Sequence, residues 1–286
     1  MKAELIFQYR AELGEGMNLF PDGKMRWVDL PRGSSFIWDD GKNHNWQKFP
    51  FEISKILPWK NGAAVLGQPG VLLIDSQGNE VERIQLNELG SNLRCSDGVV
   101  LPNGELLLGI LDADLTPHLG RLVHIRHDRT VKTIVDRTSI SNGVTLLADG
   151  VHIAWADSPK KIIEVFEFDY DRSELSPPKH YADLPEGNGL IDGMCADSEG
   201  GIWAALWKGS GVAHFDGTGK CVEVINFDSP NVTSCAFDAS DDLILTTGTA
   251  TLSEDEINRY QGAGGLWRIR RADHGVRGAK VHIATL

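Results

Sequence analysis

Six short apolar runs recur along this chain, beginning at positions 25, 63, 106, 152, 202 and 243, with gaps of 38, 43, 46, 50 and 41 residues. Each run (25–30, 63–66, 106–110, 152–156, 202–206 and 243–247) has the length of a strand and is bounded by turn residues. A unit repeated about every 40–50 residues marks a propeller or another repeat array, because such a unit holds four short strands and their turns. Six units fill the 286 residues. The spacing therefore predicts an all-β, six-bladed β-propeller, a single domain over 1–286. A two-sheet sandwich would leave the regular spacing unexplained. The pairs Asp22-Gly23, Asn103-Gly104, Asp149-Gly150 and Glu199-Gly200 suit hairpin turns. One helical stretch is expected, at 253–260, where Ser253 precedes acidic residues. Segments 5–9 and 280–286 are strand-like and are candidates to close the ring.

Charge narrows the partners. With 28 basic and 40 acidic residues the net charge is −12, and no basic run breaks that balance. Nucleic acid and anionic membrane surfaces are therefore excluded as partners. No run of about 18 apolar residues occurs, as a membrane-spanning helix requires, and the N-terminus lacks a signal-peptide pattern. Cys95, Cys195, Cys221 and Cys235 are scattered, with no CxxC pair. They read as reduced, mostly buried thiols of a cytoplasmic protein. The eight tryptophans are expected between blades, with Trp207 a candidate to line a pocket. Oligomeric state is left open.

Ten residues before each apolar run stand Glu15, Ile53, Ser96, Asn142, Asp192 and Thr233. Glycine follows Glu15, Asn142 and Asp192, and Asp97-Gly98 repeats the pair one residue later. Equivalent positions of a propeller sit at equal radius, so side chains distant in sequence converge near its axis. Glu15, Asn142 and Asp192 together form an all-oxygen donor set, which suits a hard divalent cation such as Ca²⁺, Mg²⁺ or Mn²⁺. Without a cation the two carboxylates repel, and one is expected to hold a proton.

These residues also carry a resemblance. Leu13-Gly14-Glu15-Gly16 with Trp27-Val28-Asp29, Arg94-Cys95-Ser96-Asp97-Gly98 with Pro102-Asn103-Gly104, and Ser141-Asn142-Gly143 with Ala156-Asp157-Ser158 are three of five ordered motifs. Ile191-Asp192-Gly193-Met194 with Trp203-Ala204-Ala205-Leu206-Trp207, and Val232-Thr233-Ser234-Cys235-Ala236-Phe237 with Gly264-Gly265-Leu266, complete them. In this order the chain resembles the senescence marker protein 30/gluconolactonase family, which includes luciferin-regenerating enzyme. The resemblance implies a six-bladed propeller that hydrolyses sugar lactones. It implies metal ligation by Glu15, Asn142 and Asp192, a base role for Asp192 and substrate binding by Arg94. The metal it implies is one divalent ion, Ca²⁺ or Zn²⁺ first, with Mg²⁺ or Mn²⁺ as further candidates. Ser96 stands where the family usually has asparagine. Met17-Asn18-Leu19 and Ile110-Leu111 also depart from it, at positions that lie near the family's pocket mouth.

The expected chemistry is metal-assisted lactone hydrolysis, with the carbonyl polarised by the ion and Asp192 accepting the proton of the attacking water. Arg94 and Ser96 are expected to contact substrate. So is Asp114, from a loop over 111–119. No GxSxG elbow points to a serine hydrolase. Two alternatives are a non-catalytic propeller, whose cation only ties blades together while a face binds a partner, and another metal-dependent esterase.

Overall fold

The computed structural model describes residues 1–39, 41–68, 70–86, 90 and 92–286. Its described residues form an all-β, propeller-like fold of antiparallel four-stranded meanders. The first comprises Gly14–Leu19, Met25–Asp29, Ser34–Asp39 and Lys42–Lys48. The second comprises Ile53–Trp59, Gly62–Gly67, Gly70–Asp75 and Glu80–Gln85. Leu93–Val100, Leu106–Asp112, Gly120–Ile125 and Val131–Thr138 make the third. The fourth has Ser141–Leu146, His152–Asp157, Ile162–Asp169 and Lys179–Asp183, with Glu174–Leu175 paired at its edge. The fifth is Leu190–Ala196, Ile202–Trp207, Gly211–Phe215 and Cys221–Asn226. Asn231–Phe237, Leu243–Gly248 and Leu266–Ile269 form the last with Ala3–Phe7, which pairs antiparallel with Leu266–Ile269.

The apolar runs are the second strands of these meanders. Met25–Asp29, Leu106–Asp112 and Leu243–Gly248 are buried at every residue. Such strands have neighbours packed on both faces, so their sequences read as continuous apolar runs rather than alternating ones. The outer strands Lys42–Lys48 and Glu80–Gln85 are mostly exposed and polar. Trp27 packs with Ala236 and Leu266 of the last meander, and Trp203 with Val232 and Leu243. Both tryptophans thus fill the space between neighbouring meanders.

The first strand of each meander packs on the first strand of the next, and Asn231–Phe237 packs on Gly14–Leu19. The hydrogen-bonded sheets nevertheless number five among the described residues, not six. One bridge, Trp207 to Asn231, joins the fifth and last meanders into an eight-stranded sheet.

Other expectations need adjustment. The expected N-terminal strand at 5–9 is Ala3–Phe7. Segment 280–286 forms no meander strand, because its backbone is bonded to the second and third meanders instead, through Ala284 and Thr285. The helix spans Glu254–Arg259, with Ser253 as its cap in a reciprocal capping box with Glu256. A second short helix, Arg271–His274, was not expected. Among the described residues the four cysteines are free, with Cys195 and Cys235 sulfurs 3.6 Å apart. No helix among the described residues is long and apolar enough to cross a membrane.

Candidate active site

Each innermost strand breaks its pairing with the second strand at the register found in the sequence. The shifts lie at Glu15/Asn18, Ile53/Lys55, Cys95/Gly98, Asn142/Thr145, Ile191/Met194 and Val232/Ser234. A bulge kinks the strand and re-aims a side chain. Gly16 and Gly143 sit in two of these bulges with φ near +61° and +62°. A Cβ on Gly16 would lie 2.3 Å from the Ser54 carbonyl oxygen, and one on Gly143 would lie 2.9 Å from that of Asp192. Glycine is required there by conformation and by space.

The result is one pocket of about 350 Å³, lined by Glu15, Arg94, Ser96, Asn142 and Asp192 together with Trp207. Asn142 Nδ2 donates to Asp192 Oδ1 at 2.9 Å and to Ser158 Oγ at 3.3 Å. Glu15 Oε2 accepts from the Gly16 amide at 3.1 Å. The Ser96 hydroxyl donates to the Ser141 carbonyl oxygen. Arg94 Nε lies 3.7 Å from Glu52 Oε2, with its side chain 12% exposed. Asp114 is exposed and accepts from Asn92 Nδ2 at 2.9 Å, while its neighbour Leu115 lines the pocket.

Burial, followed by the field of Asp192 and then of Asp97, pushes the Glu15 carboxyl well above the ordinary carboxylate range. Asp192 is pushed up in the same direction, by burial first and then by Asp97. Arg94 opposes both shifts and is itself lowered by burial. Asp97 lies one residue past the register, where Lys55 Nζ holds its Oδ1 at 2.6 Å. Among the described residues, its other oxygen has no hydrogen-bond partner.

This donor set fits a hard divalent cation. Two buried carboxyls whose proton affinities are both raised are the groups a cation would keep ionised, and a half-turn of the Asn142 amide offers its oxygen. Among the described residues no group of three or more His, Cys, Asp or Glu could hold an ion, so the amide would have to be the third ligand.

Several contributors carry no signal in the sequence. Lys55 follows a register position held by apolar Ile53, so nothing marked it. Asp29 and Asp157 end second strands, and their carboxylates accept from the amides of Leu13 at 3.2 Å and Ile140 at 2.9 Å. They thereby fix two residues of the pocket wall. Both aspartates stood in the quoted motifs, without a role. Leu111 lines the pocket, but Met17, Asn18 and Leu19 do not. These three line a second cavity of about 340 Å³ at the far ends of the innermost strands, because beyond the bulge the strand runs away from the site.

Comparison with known proteins bears on the family and the fold. The sequence model of the SMP-30/gluconolactonase/LRE-like region matches residues 13–249. The chain is 29% identical over 283 residues to pentonolactonase XacC of Haloferax volcanii, covering 94% of each chain. It is 28% identical over 281 residues to regucalcin of Danio rerio, again covering 94% of each. Its fold is similar to the crystal structure of a calcium-binding protein, regucalcin, from Agrobacterium tumefaciens. That match has a TM-score of 0.88 at 20% identity and covers 99% of this chain and 96% of the other.

Proposed function

Because the chain belongs to the SMP-30/gluconolactonase/LRE-like family, we propose that it hydrolyses a sugar lactone in the pocket of Glu15, Asn142 and Asp192. The observation that carries this reading is the convergence of these three side chains, from three strands, beside Arg94 in one cavity. Their oxygen donors suit a hard divalent ion, calcium before zinc, and such an ion, when bound, supplies Lewis-acid polarisation of the lactone carbonyl. Asp192 accepts a proton from water as the water oxygen adds to the carbonyl carbon. The ring C–O bond then breaks, the ring oxygen takes up a proton, and a hydroxy acid is released. Arg94 presents planar donors to a substrate hydroxyl or to the product carboxylate. Without the ion, Asn142 Nδ2 holds the Asp192 carboxyl at 2.9 Å; with it, the same amide would turn its oxygen to the ion.

We also read the meanders as six blades of one domain over 1–286. The closed ring of innermost strands and the pairing of Ala3–Phe7 with Leu266–Ile269 support this count.

Initial rates on aldonolactones, followed with a pH indicator, test the function. Metal-stripped protein refilled with Ca²⁺, Zn²⁺, Mn²⁺ or Mg²⁺ should turn over at least one lactone. Asp192→Asn should lower kcat by about 100-fold or more with the fold retained by circular dichroism. Absence of lactone turnover with every ion would overturn the proposal. Full activity of the folded Asp192→Asn protein would exclude Asp192 as the base.

A further inference from the structure

The pocket is lined by polar groups and by apolar side chains. The polar groups already have partners: Asn142 is bonded to Asp192 and Ser158, Ser96 to the Ser141 carbonyl, and Arg94 lies beside Glu52. The apolar part of the lining, the wall, includes Leu13, Ile140, Leu190 and Trp207, each half-buried, and the exposed Leu115. Two polar residues interrupt this wall, and both are exposed. Thr251 carries a single hydroxyl, and the charge of Lys208 acts on Glu256 of the helix Glu254–Arg259.

Leu115 is 51% exposed and has φ near +57°, a backbone conformation unfavourable for leucine. It is held there deliberately by its loop. Asp112 Oδ2 accepts from the amides of Asp114 at 3.0 Å and Thr116 at 3.3 Å, and the Leu115 amide donates to the Asp112 carbonyl at 2.8 Å. The turn thus leaves an apolar side chain exposed at the pocket.

Against the leucines and the isoleucine of this wall a substrate hydroxyl would lose its water without gaining a partner, whereas a methyl or alkyl group would leave water for apolar contact. We propose that the wall of Leu13, Leu115, Ile140, Leu190 and Trp207 selects lactones whose exocyclic group is apolar, deoxy-sugar or alkyl-substituted lactones, over the matching hydroxymethyl lactones. This inference rests on the lactone-hydrolase reading and sharpens its substrate class.

The test is kcat/KM of the metal-loaded protein on L-fuconolactone and L-galactonolactone, which differ only in CH3 against CH2OH, with gluconolactone and an alkyl-substituted δ-valerolactone alongside. The deoxy lactone should be favoured about tenfold or more, and Leu115→Ser should bring the ratio towards one. The wild-type ratio decides even if that variant fails to fold. A ratio of one or below overturns the inference while leaving the hydrolase reading intact. So does turnover of gluconolactone with none of either apolar lactone. Failure on every lactone removes the hydrolase reading, and the inference falls with it.

Discussion

Glu15, Asp97 and Asp192 lie within one another's fields, and Lys55 is the cation bonded to the middle one. The Lys55 and Asp97 side chains are only 10% and 8% exposed. Breaking a buried pair leaves an uncompensated charge and typically costs about 3–5 kcal/mol. Lys55→Met should therefore lower the unfolding free energy from urea titration by an amount in that range, and Lys55→Met combined with Asp97→Leu should restore most of it. A full loss in the double variant would show that packing, not charge, is what Lys55 provides. The raised carboxyls give a second prediction. A group whose proton affinity is higher in the folded state than in the unfolded one keeps its proton only when folded. Metal-free protein should thus lose stability as pH rises from the ordinary carboxylate range, 4.5 for Glu15 and 3.8 for Asp192, through their raised folded values. Asp192→Asn should flatten that slope in denaturant titrations at several pH values; an unchanged slope would exclude Asp192 as its source. Glu15, Asn142 and Asp192 were legible because each precedes a bulge glycine at one register. Lys55 was not, because the repeat marks positions and says nothing about which cation will answer a carboxylate.

Among the elements, the bulges decide where side chains point. Gly16 and Gly23 both have positive φ, but their surroundings differ. A Cβ on Gly16 would also lie 2.7 Å from Lys55 Cα, whereas the nearest atom to one on Gly23 is Ala239 Cβ at 4.0 Å. Gly23→Ala should cost only the left-handed backbone term, about 1–2 kcal/mol. Gly16→Ala adds an overlap with backbone that cannot yield, roughly 1–3 kcal/mol more, and it displaces Glu15. The two variants should separate in the rise of Tm produced by a divalent ion: retained in Gly23→Ala, reduced in Gly16→Ala. Equal ion-induced shifts would mean that the bulge does not aim Glu15. The second strands were readable as apolar runs because burial on both faces erases alternation. Their pairing irregularities were not, since a bulge leaves no mark beyond a glycine that also suits a turn. Loop 111–119 shows the same limit. Its acidic residues suggested a contact through Asp114, but the Asp112 turn presents Leu115 to the pocket instead.

Across the whole molecule, the innermost strands run from the candidate site at their starts to the second cavity at their far ends, and the C-terminal segment crosses that far mouth. It is bonded on one side to the fifth meander, where Ala279 N donates to the Ala196 carbonyl at 3.0 Å and Ser198 N to the Arg277 carbonyl at 2.8 Å. On the other side Ala284 N donates to the Pro58 carbonyl at 2.8 Å, and Lys60 N to the Ala284 carbonyl at 2.9 Å. Thr285 N reaches the Gly104 carbonyl at 2.9 Å. Ala284 and Leu286 are buried, while Val281 and Ile283 are exposed. Residues 277–286 therefore strap the fifth meander to the second and third, a long-range role that strand-like composition in 280–286 could not distinguish from a blade strand. Each such bond contributes about 1 kcal/mol net, offset by the entropy of ordering the segment. A net loss of about 2 kcal/mol on deleting 277–286 corresponds to a Tm fall of roughly 4–8 °C for a chain of this size. Lactone turnover per folded molecule should persist, because the strap touches none of the residues lining the candidate site. An unchanged Tm would show that the strap carries no load. Loss of turnover in a folded truncation would show that the two cavities are coupled.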